Sequence, residues 1–369
     1  MREPFRFEGV DVEAGTAVRI PVQFGLDPLG RQLEIPVHIL HGSEDGPILG
    51  ITSTIHGDEL NGVTIIRHLL HGMDLNPGTK DDLVTPETLS GTLIVVPVCN
   101  PEAVIIHSRR SSDGRDLNRC FPGTTTGTHS SRLAHTLFHR IVTRCDYLID
   151  LHTAPSERTN APHVRADCDD SKSKELARAF GTPIVLHSIG PAGSLRRCST
   201  QEGIHAVLLE AGTANVFEGG AITAGVRGIM NILVHLKMIQ GTIRKPDWRL
   251  IVRTSQWIRS PRGGMLHPLI QVGELVVEGQ PIAQISNPLS GEVEEIQSPL
   301  CGVAVGLATA PLLRAGEPVA NIASVNKKRM RERIRDSPMT GWKFEDVAET
   351  LEDIAEDADG LPIDEQPED

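Results

Sequence analysis

The sequence predicts an α/β protein with a mostly parallel mixed sheet flanked by helices, followed by a small all-β domain. Two observations carry this. Nearly continuous apolar, β-branched runs at 47–55, 91–98, 146–151 and 205–210 alternate with stretches of helical period at 60–70, 133–142, 172–180 and 221–238. That order builds a buried, largely parallel sheet covered on both faces. From Trp248 the pattern changes to short strands punctuated by glycine and proline, through Ala323.

Taken in order, segments 18–24 and 33–40 run apolar or alternate between Gly, Pro and Asp, and are expected to pair antiparallel. The strand at 47–55 leads into HGDELNG, after which Leu60, Val63, Ile66, Leu69 and Leu70 recur at helical spacing. Residues 74–90 read as loop, and 91–98 as a buried strand ending in Cys99, Asn100 and Pro101. The stretch 101–127 lacks sustained periodicity and is rich in Arg, Ser, Asp, Gly and Thr, as a long functional loop would be. A helix at 133–142 and a strand ending on His152 follow; 162–166, the helix at 172–180, 184–187, the unit 195–202, the strand 205–210 and the helix 221–238 continue the alternation.

In the β region, QVGELVVEGQPIAQI and the later LLRAGEPVANI resemble each other, with SPLCGVAV between them. The segment resembles a biotinyl/lipoyl-type hybrid sandwich. No lysine occurs between Lys245 and Lys327, so this copy cannot carry a lysine-attached cofactor. The expected division is N-terminal scaffold strands at 1–44, a catalytic domain at 45–245, a β domain at 246–325, and a basic then acidic tail at 326–369, partly helical or disordered. In that tail, Phe344, Val347, Leu351 and Ile354 stand at helical spacing.

Charge and cysteine usage narrow the partners. Of the net charge of −12, nearly all lies in 340–369, which holds twelve acids and one base. The rest is balanced apart from six bases and one acid at 327–335, read as a solvated helix meeting the acidic tail. A nucleic-acid partner is not expected. Neither a signal sequence nor a membrane-length apolar span is visible, and the six cysteines have no CxxC or framework spacing; both suit a cytoplasmic, reduced protein away from membranes. The sequence leaves the oligomeric state open, with a homo-oligomer admitted.

Chemistry concentrates at strand ends. His56 and Glu59 stand three apart where the strand at 47–55 gives way to a helix, with Glu59 expected in its first turn, so imidazole and carboxylate can converge as metal ligands. A third ligand must come from elsewhere. His152 terminates YLIDLH at the carboxyl edge of a parallel sheet, where ligand sites form, and Asp150, on the same strand face, can orient its ring. One zinc ion held by His56, Glu59 and His152 leaves a fourth position for water. Glu210 ends the strand AVLLE at the same edge and suits a general base; Glu202 and Glu218 read as ordinary helix-surface acids. In the long loop, Asn118 and Arg119 suit the grip of a carboxylate, Arg109 or Arg110 suits polarisation of a carbonyl, and Arg115 and Asp116 suit holding the loop in shape. Arg196 reads equally as a second carboxylate sensor or a surface charge.

HGDE at His56, DLNR at Asp116, DLH at Asp150 and a strand-end Glu210, in this order, resemble the succinylglutamate desuccinylase/aspartoacylase family of zinc-dependent deacylases, itself related to the metallocarboxypeptidases. The resemblance spans roughly 45–325, because many such proteins carry a β domain after the catalytic one. It implies a zinc carboxypeptidase-like fold, zinc at His56, Glu59 and His152, a catalytic Glu210, and carboxylate recognition by Asn118 and Arg119. Spacing does not decide between Arg109 and Arg110 as the carbonyl-polarising residue. The implied activity is a zinc-dependent amidohydrolase acting on a small N-acyl amino acid, and the alternative is a metallocarboxypeptidase acting on peptides.

Overall fold

The computed structural model describes residues 2–71 and 84–339. The chain opens with a short antiparallel ribbon, β1 (Phe5–Phe7) and β2 (Val10–Val12). The long hairpin β3 (Thr16–Leu26) and β4 (Gln32–His41) follows, paired antiparallel as the alternation predicts. Next come β5 (Glu44–Ser53), α1 (Asn61–His71) and β6 (Ser90–Val96). The loop expected at 101–127 contains α2 (Pro101–Ile105), with proline at its first turn and the Asn100 side chain as its cap, where the missing proline N–H costs nothing. It also contains a single 3-10 turn at Leu117–Arg119. The helix expected at 133–142 begins earlier, as α3 (His129–His135), and continues through a π-helical turn, Thr136–Ile141.

The remainder of the α/β part is β7 (Tyr147–His152), β8 (Arg158–Ala166), α4 (Ser171–Phe180), β9 (Ile184–His187), α5 (Leu195–Gln201), β10 (His205–Thr213) and α6 (Gly219–His235). At the centre of the sheet, β10, β7, β5 and β6 lie side by side and parallel. Their inward residues, such as Leu49, Ile51, Ile149, Leu151 and Leu209, are buried against Ile65, Ile66 and Leu69 of α1 and Ile229 and Leu233 of α6. The opposite face packs Ile94, Val96 and Leu148 against Leu133, Leu137, Phe138 and Leu195. Coverage on both faces explains why these strands read as continuous apolar runs.

The sheet is mixed rather than mostly parallel. β4 and β8 join the parallel centre antiparallel at either side, and the C-terminal strands extend it further. Those strands are β11 (Leu250–Val252), β12 (Ser255–Arg259), β13 (Gly264–Pro268), β14 (Leu275–Val276), β15 (Pro281–Ser286), β16 (Val293–Gln297), β17 (Gly302–Ala308), β18 (Leu312–Leu313) and β19 (Pro318–Ser324). β17 pairs antiparallel with β8, with Gly306 opposite Asn160, so the β region is hydrogen-bonded to the strand beside β10. A separate four-stranded sheet, β16-β15-β13-β18, packs its Leu266, Ile285 and Ile296 against Ala304, Leu307 and Ile322 of β17 and β19. The basic stretch forms α7 (Lys328–Asp336), anchored by buried Ile334. The helix expected around Phe344 and the acidic tail lie outside the described residues. Among the described residues no helix is long and apolar enough to cross a membrane.

Candidate metal centre and substrate cleft

β5 and β7 are parallel neighbours, so their carboxyl ends meet at one edge. Beyond β5 the chain folds back: Thr54 adopts φ 52, and the Glu59 N–H donates to the His56 carbonyl at 3.2 Å. Glu59 therefore sits in the turn before α1, which begins at Asn61, and not in the first helical turn. The glycine of HGDE has a packing reason. A Cβ on Gly57 would lie 2.1 Å from the Ala103 carbonyl carbon of α2. Gly62 lets α1 approach β5 and β7 equally closely, since a Cβ there would meet Ser53 Oγ at 2.2 Å.

His56, Glu59 and His152 are all buried, and one ligand atom from each lies within 4.8 Å of the others. His56 Nδ1 is 2.7 Å from Glu59 Oε1 and His152 Nδ1 is 2.7 Å from Glu59 Oε2. Each ring is held from behind by a second carboxylate: His152 Nε2 lies 2.8 Å from Asp150 Oδ2, and His56 Nε2 lies 3.0 Å from Asp116 Oδ1. Asp150 is fixed in turn by the Thr52 hydroxyl at 2.8 Å. A proton on each Nε2, donated to its carboxylate, leaves both Nδ1 lone pairs facing the same space.

The charges are mutually enforced. Burial opposes the charged form of Glu59, but His56 and His152 outweigh it and hold the carboxyl well below the usual carboxylate range. Burial likewise pulls both rings down; Glu59 with Asp116 raises His56, and Asp150 with Glu59 raises His152 well above an ordinary histidine. Asp116 is kept low, against its own burial, by His56 and then by Arg109 and Arg119. A buried cluster with this balance calls for positive charge at its centre. Two imidazoles and one carboxylate, each orientable, match the donors and number of a zinc site with an open position. The residues present fit a divalent cation of that kind.

Arg109 reaches this centre. Its Nη1 donates to Glu59 Oε1 at 2.9 Å and lies 3.1 Å from His56 Nδ1. Arg110 does not: its guanidinium, on the exposed side of the loop, donates to the Gly114 carbonyl at 2.9 Å. Of the two adjacent arginines, only Arg109 contacts the His56 and Glu59 side chains. Glu210 stands directly beside His152 in the parallel register of β10 and β7, hence on the same face of the sheet. Asn160 Nδ2 donates to its Oε2 at 3.0 Å, and Arg165 Nε lies 3.4 Å from its Oε1.

Asn118 is buried, and its side-chain oxygen accepts from the Leu195 N–H at 2.9 Å, tying the DLNR turn to the start of α5. Arg119 is exposed, its guanidinium donating to the Asn118 carbonyl at 2.7 Å. Arg196 is not a surface charge, and Asp150 and Glu210 lie within its electrostatic reach. It is 3% exposed, bound to the Ser188 carbonyl, and pulled down to about 10 by burial and then by Arg165. Glu218 is buried at the start of α6, its N–H donating to Asn61 Oδ1 at 3.0 Å, and is not a helix-surface acid.

Two supporting residues escaped the sequence reading. Asp116 holds His56 as Asp150 holds His152, yet a loop aspartate sixty residues from its partner gives no local sign of this. Asn160 stands in SERTN, just before the segment 162–166 taken as a strand; only the antiparallel pairing of β8 with β10 brings it to Glu210. A second group, Asp167, Asp169 and His187, also lies close together, but Asp169 is exposed and paired with Arg253.

The catalytic-domain model of the succinylglutamate desuccinylase/aspartoacylase family matches residues 45–236. The N-alpha-acetyl-L-2,4-diaminobutyric acid deacetylase of Halomonas elongata is 27% identical over 333 residues, covering 86% of this chain and 93% of that protein. The crystal structure of a succinylglutamate desuccinylase/aspartoacylase from Rhodobacter sphaeroides superposes with a TM-score of 0.74 at 26% identity, covering 86% of this chain and 99% of that one. The product-bound ectoine utilization protein EutE (DoeB) of Ruegeria pomeroyi shares the fold at a TM-score of 0.74 and 19% identity, covering 88% and 100%. Matched over more than half of its length, and with the motif residues gathered at one sheet edge, the chain belongs to the succinylglutamate desuccinylase/aspartoacylase family.

Proposed function

We propose that the protein is a zinc-dependent amidohydrolase that removes the acyl group from a small N-acyl amino acid. The observation that carries this is the placement of Glu210 beside His152, on the face where the Nδ1 atoms of His56 and His152 converge on Glu59. His56, Glu59 and His152 would hold one zinc ion, which, when bound, acidifies a water and polarises the amide carbonyl. Glu210 takes the water proton and returns it to the leaving amine. Arg109, already donating into the ligand cluster, supplies positive charge to the carbonyl oxygen as it becomes an oxyanion. Asp150 and Asp116 hold the two imidazoles in the ligating orientation. Arg119 offers an exposed guanidinium for the substrate carboxylate, while Asn118 fixes the turn that presents it. The relative from Halomonas elongata, whose name specifies an N-acetylated diamino acid, supports this substrate class.

The β region is read as a lysine-free hybrid sandwich that narrows the cleft from the β8 side. The test is a panel of N-acetyl and N-succinyl amino acids and a C-terminal dipeptide, scored by amine release with zinc-loaded protein. Release from the N-acyl amino acids, lost on dialysis against chelator and restored by zinc, is expected. Cleavage of the dipeptide alone would favour a carboxypeptidase. His152→Ala should lose both stoichiometric zinc and activity; retention of the metal, measured by elemental analysis, would overturn the ligand set.

A further inference from the structure

A further cation, Arg158, lies within electrostatic reach of Arg109. Arg158 is the first residue of β8, half-buried, and its guanidinium carbon lies 5.1 Å from the centroid of the Trp257 ring. Trp257 belongs to β12, which reaches β8 through β19 and β17. The indole is thus a flat platform supplied by the β region, and an arginine stacked on an aromatic face keeps its edge donors free. Among the described residues the Arg158 guanidinium donates no hydrogen bond and forms no ion pair. Its acidic neighbours are Glu157 and Glu317, and Arg109 and Arg259 oppose them.

The strand register shows which way Arg158 faces. Directly opposed residues share a face of a sheet, and so do alternate residues of one strand. The register of β8 with β10 shifts between Glu210 and Gly212, so it is the Asn160 hydrogen bond to Glu210 that places Asn160 on the face of Glu210. Arg158, two residues before Asn160, therefore lies on the face of Glu210 and His152, roughly 7 Å along the strand from Asn160. Gly306, opposite Asn160, keeps this row open, since a Cβ there would lie 2.7 Å from Asn160 Oδ1 and 3.5 Å from the Trp257 ring.

We propose that Arg158, positioned over the Trp257 ring, binds a carboxylate of the substrate, so that the β region contributes directly to substrate selection. The geometry fits a planar two-oxygen acceptor, which a guanidinium fork receives with two parallel hydrogen bonds. Two sources share this chemistry: the α-carboxylate of the amino acid, or a second carboxylate on the acyl arm. The inference rests on the deacylase reading for the identity of its ligand.

The test compares zinc-loaded wild type, Arg158→Gln and Arg158→Lys on an N-acetyl amino acid, its carboxamide, and the N-succinyl analogue of that carboxamide. Zinc content and thermal unfolding verify that each variant is folded. In Arg158→Gln, KM for a carboxylate-bearing substrate should rise roughly ten-fold or more with kcat little changed, and the acetylated carboxamide should be unaffected. A penalty confined to the free acid assigns the α-carboxylate; one confined to the succinyl compound assigns the acyl arm. Arg158→Lys should restore little of the loss, and Trp257→Leu should raise KM in the same direction without lowering kcat. Unchanged KM on all three substrates in Arg158→Gln would overturn the proposal while leaving the deacylase reading intact. Should wild type hydrolyse none of them, calorimetric binding of the same compounds decides: weaker binding of the carboxylate-bearing compound by Arg158→Gln supports the proposal. Equal binding, or none by wild type, overturns it.

Discussion

At the scale of single residues, the candidate site rests on carboxylates whose partners differ. Glu59 is engaged by two imidazoles and Arg109, whereas Glu210, among the described residues, is held from the β8 side alone. Glu210→Gln preserves shape and the Asn160 contact but cannot take a proton. It should keep zinc and lose roughly 10²- to 10⁴-fold in kcat. Near-normal turnover of the zinc-loaded variant would move the proton transfer to another group. Asn160→Ala frees one oxygen of Glu210 and should cost roughly ten-fold in kcat with a shifted pH profile, zinc being retained; an unshifted profile would make Asn160 purely structural.

His163, opposite Glu210 on β8, gives a pH dependence of a different origin. Fully buried, with Nδ1 donating to the Ala161 carbonyl at 2.8 Å and Nε2 without a partner among the described residues, its ring is pushed down to about 3 by burial and then by Arg165. The folded state therefore refuses a proton that the unfolded chain accepts near 6.5, the ordinary histidine value. Its contribution is fully present above that value and is lost as pH falls toward 3, at about 1.4 kcal/mol per pH unit. Urea unfolding of chelator-treated protein at pH 7 and pH 5 should show a steeper loss for wild type than for His163→Gln. Equal slopes would mean that the ring is protonated in the folded state.

At the scale of elements, the turn that carries His56 and Glu59 depends on how closely two helices approach it. Gly57 lies against the backbone of α2 and Gly62 against Ser53 and Leu151. Gly57→Ala must displace α2, since the contact is with main-chain atoms that cannot rotate aside. It should cost about 1–3 kcal/mol of stability and weaken zinc binding, because His56 and Glu59 flank the displaced residue. Thermal unfolding and a zinc competition titration measure the two effects, and a variant unchanged in both would show that α2 shifts freely.

At the scale of the whole molecule, the β region is joined to the α/β sheet rather than tethered beside it. β17 extends the sheet from β8, and β11 extends it from β9. Such a region cannot swing between sites as a carrier domain does, and it has no lysine to modify. An intact-mass measurement on protein expressed with biotin and lipoate present should find no adduct; one located between Pro246 and Asn326 would contradict this.

The sequence by itself determined the pieces whose signal is local. Continuous apolar runs identified the central strands, because a strand buried on both faces needs apolar residues at every position. HGDE, DLH and the strand-end Glu210 marked residues that the fold gathers at one sheet edge, because parallel strands finish at a common edge. Tertiary structure decided what depends on neighbours distant in sequence. It placed Arg109 at the centre and Arg110 on the loop surface, although the two are adjacent and chemically identical. It turned Asp116 into the support for His56, and it buried Arg196. It also joined β17 to β8, which brings Trp257 under Arg158 and Gly306 beside Asn160. Antiparallel pairing between segments more than a hundred residues apart leaves no periodicity in either one, so only the folded chain reveals it.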